Sequence, residues 1–247
     1  MSNRISSFIR KKLLGKKQNL VSLDDCYDVM HRLLKGRRIT GIIDAGASDG
    51  RISKKLLRKF PNANSFAFEP NPIFRQTLQQ YAKKDPRFHP FFDAVSDFEG
   101  TADFYITKAS GNSSLFAPEK RLSEISPTGA SVKNVDKVNV VTIDQWAKRN
   151  GGIPIQLMKF DIQGGELKAL QGGIHLLRTS VLLVYTEVLF SPVYESGAVF
   201  GEIDSFLRQN GFELYDIFKP NYDKHGRFAW ANAIYINSQK IPTKREA

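Results

Sequence analysis

Three features of the sequence predict an α/β domain, a mostly parallel sheet with helices on both faces. The first is Thr40-Gly-Ile-Ile-Asp-Ala-Gly-Ala-Ser-Asp-Gly50, where a short apolar run passes straight into a glycine-spaced loop. The second is the helix-period segment that follows, with Ile52, Leu56, Leu57 and Phe60 on one face. Strand, tight loop and helix together open a βαβ unit. The third is the alternation of apolar strands with amphipathic helices down to the last two strands, which flank the polar turn Asn-Tyr-Asp-Lys-His-Gly-Arg. Those two strands predict a C-terminal antiparallel hairpin.

A helical pattern over residues 26–34 precedes the first strand. Asn64-Ser-Phe-Ala-Phe-Glu69 reads as the second strand, ending in a carboxylate. Pro70-Asn-Pro then begins a helix over residues 73–83, since proline suits a first turn. Residues 87–97 read as a third strand with Asp93 and Ala94 at its end, and Gly100 as a turn. Residues 101–107 read as a strand added at the sheet edge. Residues 108–137 lack sustained periodicity, and a loop of that length in a compact domain commonly serves function, here as a cover over the cleft.

Residues 138–142 predict a short strand and residues 143–150 a helix with Asp144 in its first turn. The strand over residues 155–162 is apolar except for Lys159 and carries Asp161 at its C-terminal end. Gln163-Gly-Gly-Glu166 opens a helix running to Leu176 and Leu177. Residues 181–188 form the most continuous apolar strand, which ends at Glu187. Phe200–Gln209 is an amphipathic helix through Ile203, Phe206 and Leu207, stopped by Asn210-Gly211. The terminal hairpin comprises residues 212–218 and 228–236.

Composition bounds the rest. With 247 residues, 41% hydrophobic and 25% charged, the chain fits one large soluble domain. No apolar run reaches the ~18–20 residues that span a bilayer. The basic start lacks the apolar stretch of a signal peptide, and the single Cys26 excludes an internal disulfide framework. The cytoplasm is the expected compartment. Of the net charge of +11, residues 1–40 carry +7. The excess thus lies outside the body of the domain, which argues against nucleic acid as a partner. Residues 4–17 place Ile5, Phe8, Ile9 and Leu13 on one face among lysines and arginines. Such a helix suits peripheral contact with an anionic membrane through residues 1–17, or simple packing at a terminus.

The glycine loop sits where open α/β sheets bind ligands, beyond the strand's C-terminal end. A dinucleotide loop reads Gly-x-Gly-x-x-Gly; here the middle glycine is replaced by Ser48, and Asp44 and Asp49 repel an anion. These carboxylates suit a cation such as the ammonium and sulfonium of S-adenosylmethionine, the alternative being a purely structural turn. Glu69 follows Gly46 by 23 positions, at the end of the second strand. A carboxylate there can take both ribose hydroxyls of a nucleoside.

The order of strands and helices resembles the Rossmann-like class I methyltransferase fold, which implies a mostly parallel seven-stranded sheet, and the local motifs resemble the FkbM family. They are Ile43-Asp-Ala-Gly-Ala-Ser-Asp-Gly50, Phe68-Glu-Pro-Asn-Pro72, Ala94-Val-Ser-Asp97 with Gly100, and Asn112-Ser-Ser-Leu115. Val140-Val-Thr-Ile-Asp144, Met158-Lys-Phe-Asp-Ile-Gln-Gly-Gly-Glu-Leu167 and Thr186-Glu187 continue the set. The resemblance covers about residues 39–236, leaving residues 1–38 as a basic helical extension and 39–247 as the methyltransferase domain. It implies an S-adenosylmethionine-dependent O-methyltransferase acting on a sugar, glycan or other small hydroxyl acceptor. Carried over by position, Gly46, Ala47 and Ser48 line the methionine portion and Asp44 orients its amino acid end. Glu69 holds the ribose, Asp93 and Ala94 border the adenine, and Asp161 stands beside the sulfonium. Asp161 and Glu187 are the candidate catalytic carboxylates. Gln163 stands where many members carry Glu, which weakens any metal role there.

Other readings are a nicotinamide oxidoreductase, disfavoured by the acidic loop, and a non-catalytic binding protein on the same fold. RNA methylation has only the basic N-terminal segment in its favour. His31, His89, His175 and His225 fall in no metal-binding pattern.

Overall fold

The computed structural model describes residues 24–241. In chain order its strands are β1 (Gly41–Ala45), β2 (Asn64–Phe68), β3 (Phe88–Phe91), β4 (Ala94–Val95), β5 (Gly100–Thr107), β6 (Val132–Val141), β7 (Leu157–Phe160), β8 (Leu183–Leu189), β9 (Phe212–Tyr222) and β10 (Phe228–Asn237). Seven of them form the central sheet in the order β3-β2-β1-β7-β8-β10-β9. The pairs β1–β2, β2–β3, β1–β7 and β7–β8 are parallel, while β10 runs antiparallel to both β8 and β9.

Successive residues of a strand point to opposite faces, so a sheet covered on both sides needs apolar residues at consecutive positions. Ile42-Ile43, Leu157-Met158 and Leu183-Val184 supply them. Ile43, Met158 and Val184 pack under the Ile143–Arg149, Glu166–Gln171, Ile174–Thr179 and Phe200–Gln209 helices, against Trp146, Leu170, Leu177 and Leu207. Ile42, Leu157 and Leu183 face the other way, onto the Cys26–Leu33 and Arg51–Lys59 helices. Burying a side chain of this size stabilises the fold by roughly 1.5–3 kcal/mol, which makes the two faces the principal source of cohesion.

Four expectations are corrected. The strand over residues 101–107 does not extend the central sheet. It belongs to a separate three-stranded sheet, β4-β6-β5, with its own small core of Ala94, Phe104, Val138 and Val140. Residues 108–137 are not structureless. They contain the Lys120–Ile125 and Pro127–Ala130 helices and the first half of β6, whose exposed Val-Lys-Asn-Val-Asp-Lys stretch is held by its ladder to β5 rather than by a buried face. The expected third strand divides at Phe92-Asp93, since β3 stays in the central sheet and β4 joins the second. The helix expected to run through Leu167 and Leu170 to Leu176 and Leu177 breaks at Gly172-Gly173, where a Cβ on Gly172 would lie 2.0 Å from the Ser96 carbonyl oxygen.

The Cys26–Leu33 helix packs against the sheet. Cys26, Tyr27, Val29 and Met30 are buried in the same cluster as Ile42 and Tyr185, so the packed body already includes this helix. The basic helix over residues 4–17, and the membrane contact read from residues 1–17, lie outside the described residues. Among the described residues no helix is long and apolar enough to cross a membrane.

Candidate active site

The strand-to-helix loop after β1 is bent by three left-handed residues, Gly46 (φ 73°), Ser48 (φ 49°) and Gly50 (φ 78°). Gly46 and Ala47 donate their amides to the Phe68 carbonyl at 2.9 and 3.1 Å, tying the loop to the end of β2. A Cβ on Gly46 would lie 1.8 Å from the Asp161 carbonyl oxygen, so only glycine fits. The amide of Ser48 is left pointing at Glu69 and donates to its Oε2 at 2.7 Å, while Asn71 N donates to Oε1 at 2.9 Å. Glu69 is therefore held from both sides at the end of β2, with one lone pair on each oxygen still unfilled. Burial pushes its carboxyl up to about 7, against the opposing pull of the Asn71 and Ser48 amides.

Beneath the loop, Asp44 and Lys159 are register partners on β1 and β7. Lys159 Nζ lies 3.0 Å from Asp44 Oδ1 and donates to the carbonyls of Ala45 (3.1 Å) and Gly46 (2.7 Å). Ser53 Oγ donates to Asp44 Oδ2 at 2.6 Å. Burial opposes the Lys159 ammonium, but the carboxylates of Asp44 and Asp161 outweigh it and the net shift is upward.

A cavity of about 280 Å³ opens at the C-terminal ends of β1, β2 and β7. Of the candidate cofactor-binding residues, Gly46, Ala47, Ser48, Glu69, Asp93, Ala94 and Asp161 line it. Asp44 does not. Its carboxylate sits behind the wall, occupied by Ser53 and Lys159, so it acts on the cavity through the lysine and the loop carbonyls. Ser110, Ser113 and Leu115, from the segment after β5, supply the outer wall.

Asp161 and Glu187 are brought together by a residue whose part the sequence does not announce. Gln163, in a left-handed conformation (φ 60°), donates from Nε2 to Asp161 Oδ1 (2.9 Å) and to Glu187 Oε2 (3.0 Å). Tyr194 donates its hydroxyl to Gln163 Oε1 at 2.6 Å, which keeps the amide nitrogen turned to the carboxylates. The loop itself is clamped: Glu166 accepts from the amides of Ile162 (2.8 Å) and Gly164 (2.9 Å), and Ser114 Oγ donates to the Gln163 carbonyl (2.7 Å). Burial raises the Glu166 carboxyl to about 7. It raises Glu187 well above the ordinary value, reinforced by the nearby charges of Asp161 and Glu166 and eased by Lys159.

Glu187 is not the last residue of its strand but lies within β8, and it faces a second cavity of about 300 Å³. Gln163 lines both cavities and stands at the seam between them. Tyr194 is the residue that sequence reasoning overlooks, while Lys159 and Gln163 are marked in the sequence without the partners they take here. For Lys159 a signal existed, a lone charge inside an apolar strand. Among the described residues no group of three or more metal-ligating side chains is arranged to hold an ion.

A sheet with this strand order, one antiparallel strand beside its edge and a cavity over the ends of the first three central strands defines the class I methyltransferase fold. A methyltransferase FkbM structure from Methylobacillus flagellatus superposes with a TM-score of 0.51 at 15% identity, over 81% of this chain and 44% of that one. The methyltransferase FkbM domain model matches residues 44–214, and the chain belongs to that family. It is 29% identical over 163 residues to the 2-O-methyltransferase NoeI of Sinorhizobium fredii, covering 62% of this chain and 65% of that protein. It is 25% identical over 164 residues to Methyltransferase 1 of Beauveria bassiana, covering 62% and 64%. The chain thus spans slightly under two thirds of the length of these two relatives.

Proposed function

We propose that the protein transfers a methyl group from S-adenosylmethionine to a hydroxyl oxygen of a small-molecule or glycan acceptor. The observation that carries this reading is the pairing of two acidic groups in one cavity, Glu69 at the end of β2 and Asp161 just beyond β7, beneath the Gly46–Ser48 loop.

The residues present fit the cofactor. The unfilled lone pairs of Glu69 can accept both ribose hydroxyls, and hydrogen bonds to a charged acceptor contribute about 1.5–3 kcal/mol each. Ala94, Val95 and Phe104 offer apolar surface for a base, with Asp93 at its rim as an acceptor for an exocyclic amine. Asp161 provides negative charge beside the position of a sulfonium, and Asp44 orders the loop from behind through Lys159. When bound, the cofactor supplies a methyl group on a positive sulfur.

The chain supplies position and a proton acceptor. A hydroxyl is a poor nucleophile until its proton begins to leave. Glu187 is the carboxylate on the acceptor side of Gln163, and its raised affinity for protons brings it toward the range useful to a general base. Gln163 fixes its direction relative to Asp161, and alignment of this kind can contribute several kcal/mol to the rate. That NoeI is named a 2-O-methyltransferase supports oxygen as the receiving atom.

The test is incubation of the protein with S-adenosylmethionine carrying a deuterated methyl group and a panel of hydroxylated compounds, read by mass spectrometry. The reading expects a labelled methyl ether and an equal amount of S-adenosylhomocysteine. A labelled amine or carbon product would move the acceptor atom away from oxygen.

A further inference from the structure

We infer that the second cavity is the acceptor subsite, and that it selects an uncharged hydroxyl compound with an apolar ring face next to the reacting hydroxyl. The inference rests on the methyltransferase reading of the first cavity and adds to it the class of acceptor.

Glu187 is only 9% exposed, and its Oε2 is used by Gln163. Its Oε1 has no donor among the described residues, although the side chain borders about 300 Å³ of open space. A carboxylate oxygen that reaches the cavity and has no protein donor is open to one, and a hydroxyl entering the cavity would supply it. The same contact puts that hydroxyl next to Gln163, one side chain from Asp161 and the cofactor cavity.

The walls define the rest of the ligand. Trp230 presents a flat ring, flanked by Leu189 and Val193, and Leu122 and Ile125 form the roof. The roof helix is pinned where Glu119 N donates to the Val193 carbonyl at 2.9 Å. Such surfaces favour the apolar face of a ring. Among the described residues no lysine or arginine lines this cavity. An anionic acceptor would meet the carboxylates of Glu187 and Asp161, with Lys159 already committed to Asp44 and the loop carbonyls and only the cofactor's positive sulfur to offset the desolvation cost. A cationic one would approach the positive sulfur of the cofactor. Neutral compounds avoid both penalties.

The probes are trans-1,2-cyclohexanediol and cyclohexanecarboxylate, each tested with the full chain and S-adenosylhomocysteine by saturation-transfer NMR. We expect a signal from the diol and none from the carboxylate. Trp230→Ala should weaken the diol by about tenfold, the scale of a lost aromatic face. Trp230→Phe should restore most of it, which separates a lost binding face from a damaged fold. Equal binding of both probes, or diol binding indifferent to Trp230→Ala, overturns the assignment. Binding of S-adenosylhomocysteine without the diol overturns the acceptor subsite and leaves the methyltransferase reading standing. Absence of S-adenosylhomocysteine binding overturns both.

Discussion

Lys159 and Asp44 face each other across β7 and β1, ammonium to carboxylate at 3.0 Å, with both side chains almost wholly buried. The lysine also holds the carbonyls of Ala45 and Gly46, so the pair fixes the strand end from which the Gly46–Gly50 loop departs. Removing one member of a buried pair leaves the other uncompensated, at a cost of about 3–5 kcal/mol. Lys159→Met should lower the urea midpoint accordingly, and adding Asp44→Asn should recover part of the loss. A double variant as unstable as the sum of the two singles would mean that they do not act as a pair.

Gly46→Ala forces a Cβ against the Asp161 carbonyl at a backbone angle that L-residues rarely adopt. We expect lost binding of S-adenosylhomocysteine and a fall in stability of about 1–3 kcal/mol from backbone strain alone. Calorimetry together with a denaturation curve checks both. Wild-type affinity in the variant would show that the loop has room the geometry denies.

Burial raises the Glu187 carboxyl, so the folded state binds its proton more tightly than the unfolded chain does. The stability from this group is complete below the unfolded value near 4.5 and is lost as pH rises through the folded value. Glu69 and Glu166, each pushed up to about 7, act in the same direction between their ordinary value and neutrality. Glu187→Gln keeps an oxygen for Gln163 but has no charge to bury. It should melt higher than the wild type at about pH 8 and match it at about pH 4, with each kcal/mol shifting Tm by about 2–4 °C. A variant less stable than the wild type at the higher pH would contradict the buried-charge account.

The same substitution should be costly to catalysis. Glu187→Gln is expected to cut turnover by ~10²-fold or more, the scale of a lost general base, while leaving cofactor affinity nearly intact. Asp161→Asn should reduce both, because Asp161 lines the cavity proposed for the cofactor. Steady-state kinetics beside calorimetry separates the two. Normal turnover in Glu187→Gln would move the base elsewhere.

The legible parts of the molecule were those whose signal is local. Ile42 and Ile43 running into Gly46 announce a buried strand and its loop, and Glu69 follows at the end of the next strand. Both lie where the sequence puts them. The Phe200–Gln209 helix has the bounds its periodicity and the Asn210-Gly211 stop imply. The β5–β6 pair was not legible as a separate sheet, because exposed residues 132–137 have no apolar alternation and are fixed by a ladder to a distant strand. Lys159 shows in the sequence as an intruder, but its partnership with Asp44 depends on an inter-strand register that no local pattern encodes. The second cavity is assembled from Leu122, Tyr194 and Trp230, which only the tertiary fold brings together.

Glu69 is the residue on which the cofactor reading turns, held by Ser48 N and Asn71 N with its free lone pairs at the cavity. The most direct measurement is titration calorimetry of the full chain with S-adenosylhomocysteine, repeated on Glu69→Ala and with NAD as the control ligand. The account predicts one site per chain for S-adenosylhomocysteine and none for NAD. In folded Glu69→Ala the binding should weaken by about 1.5–3 kcal/mol. No binding of S-adenosylhomocysteine, or affinity unchanged in the folded variant, would contradict it.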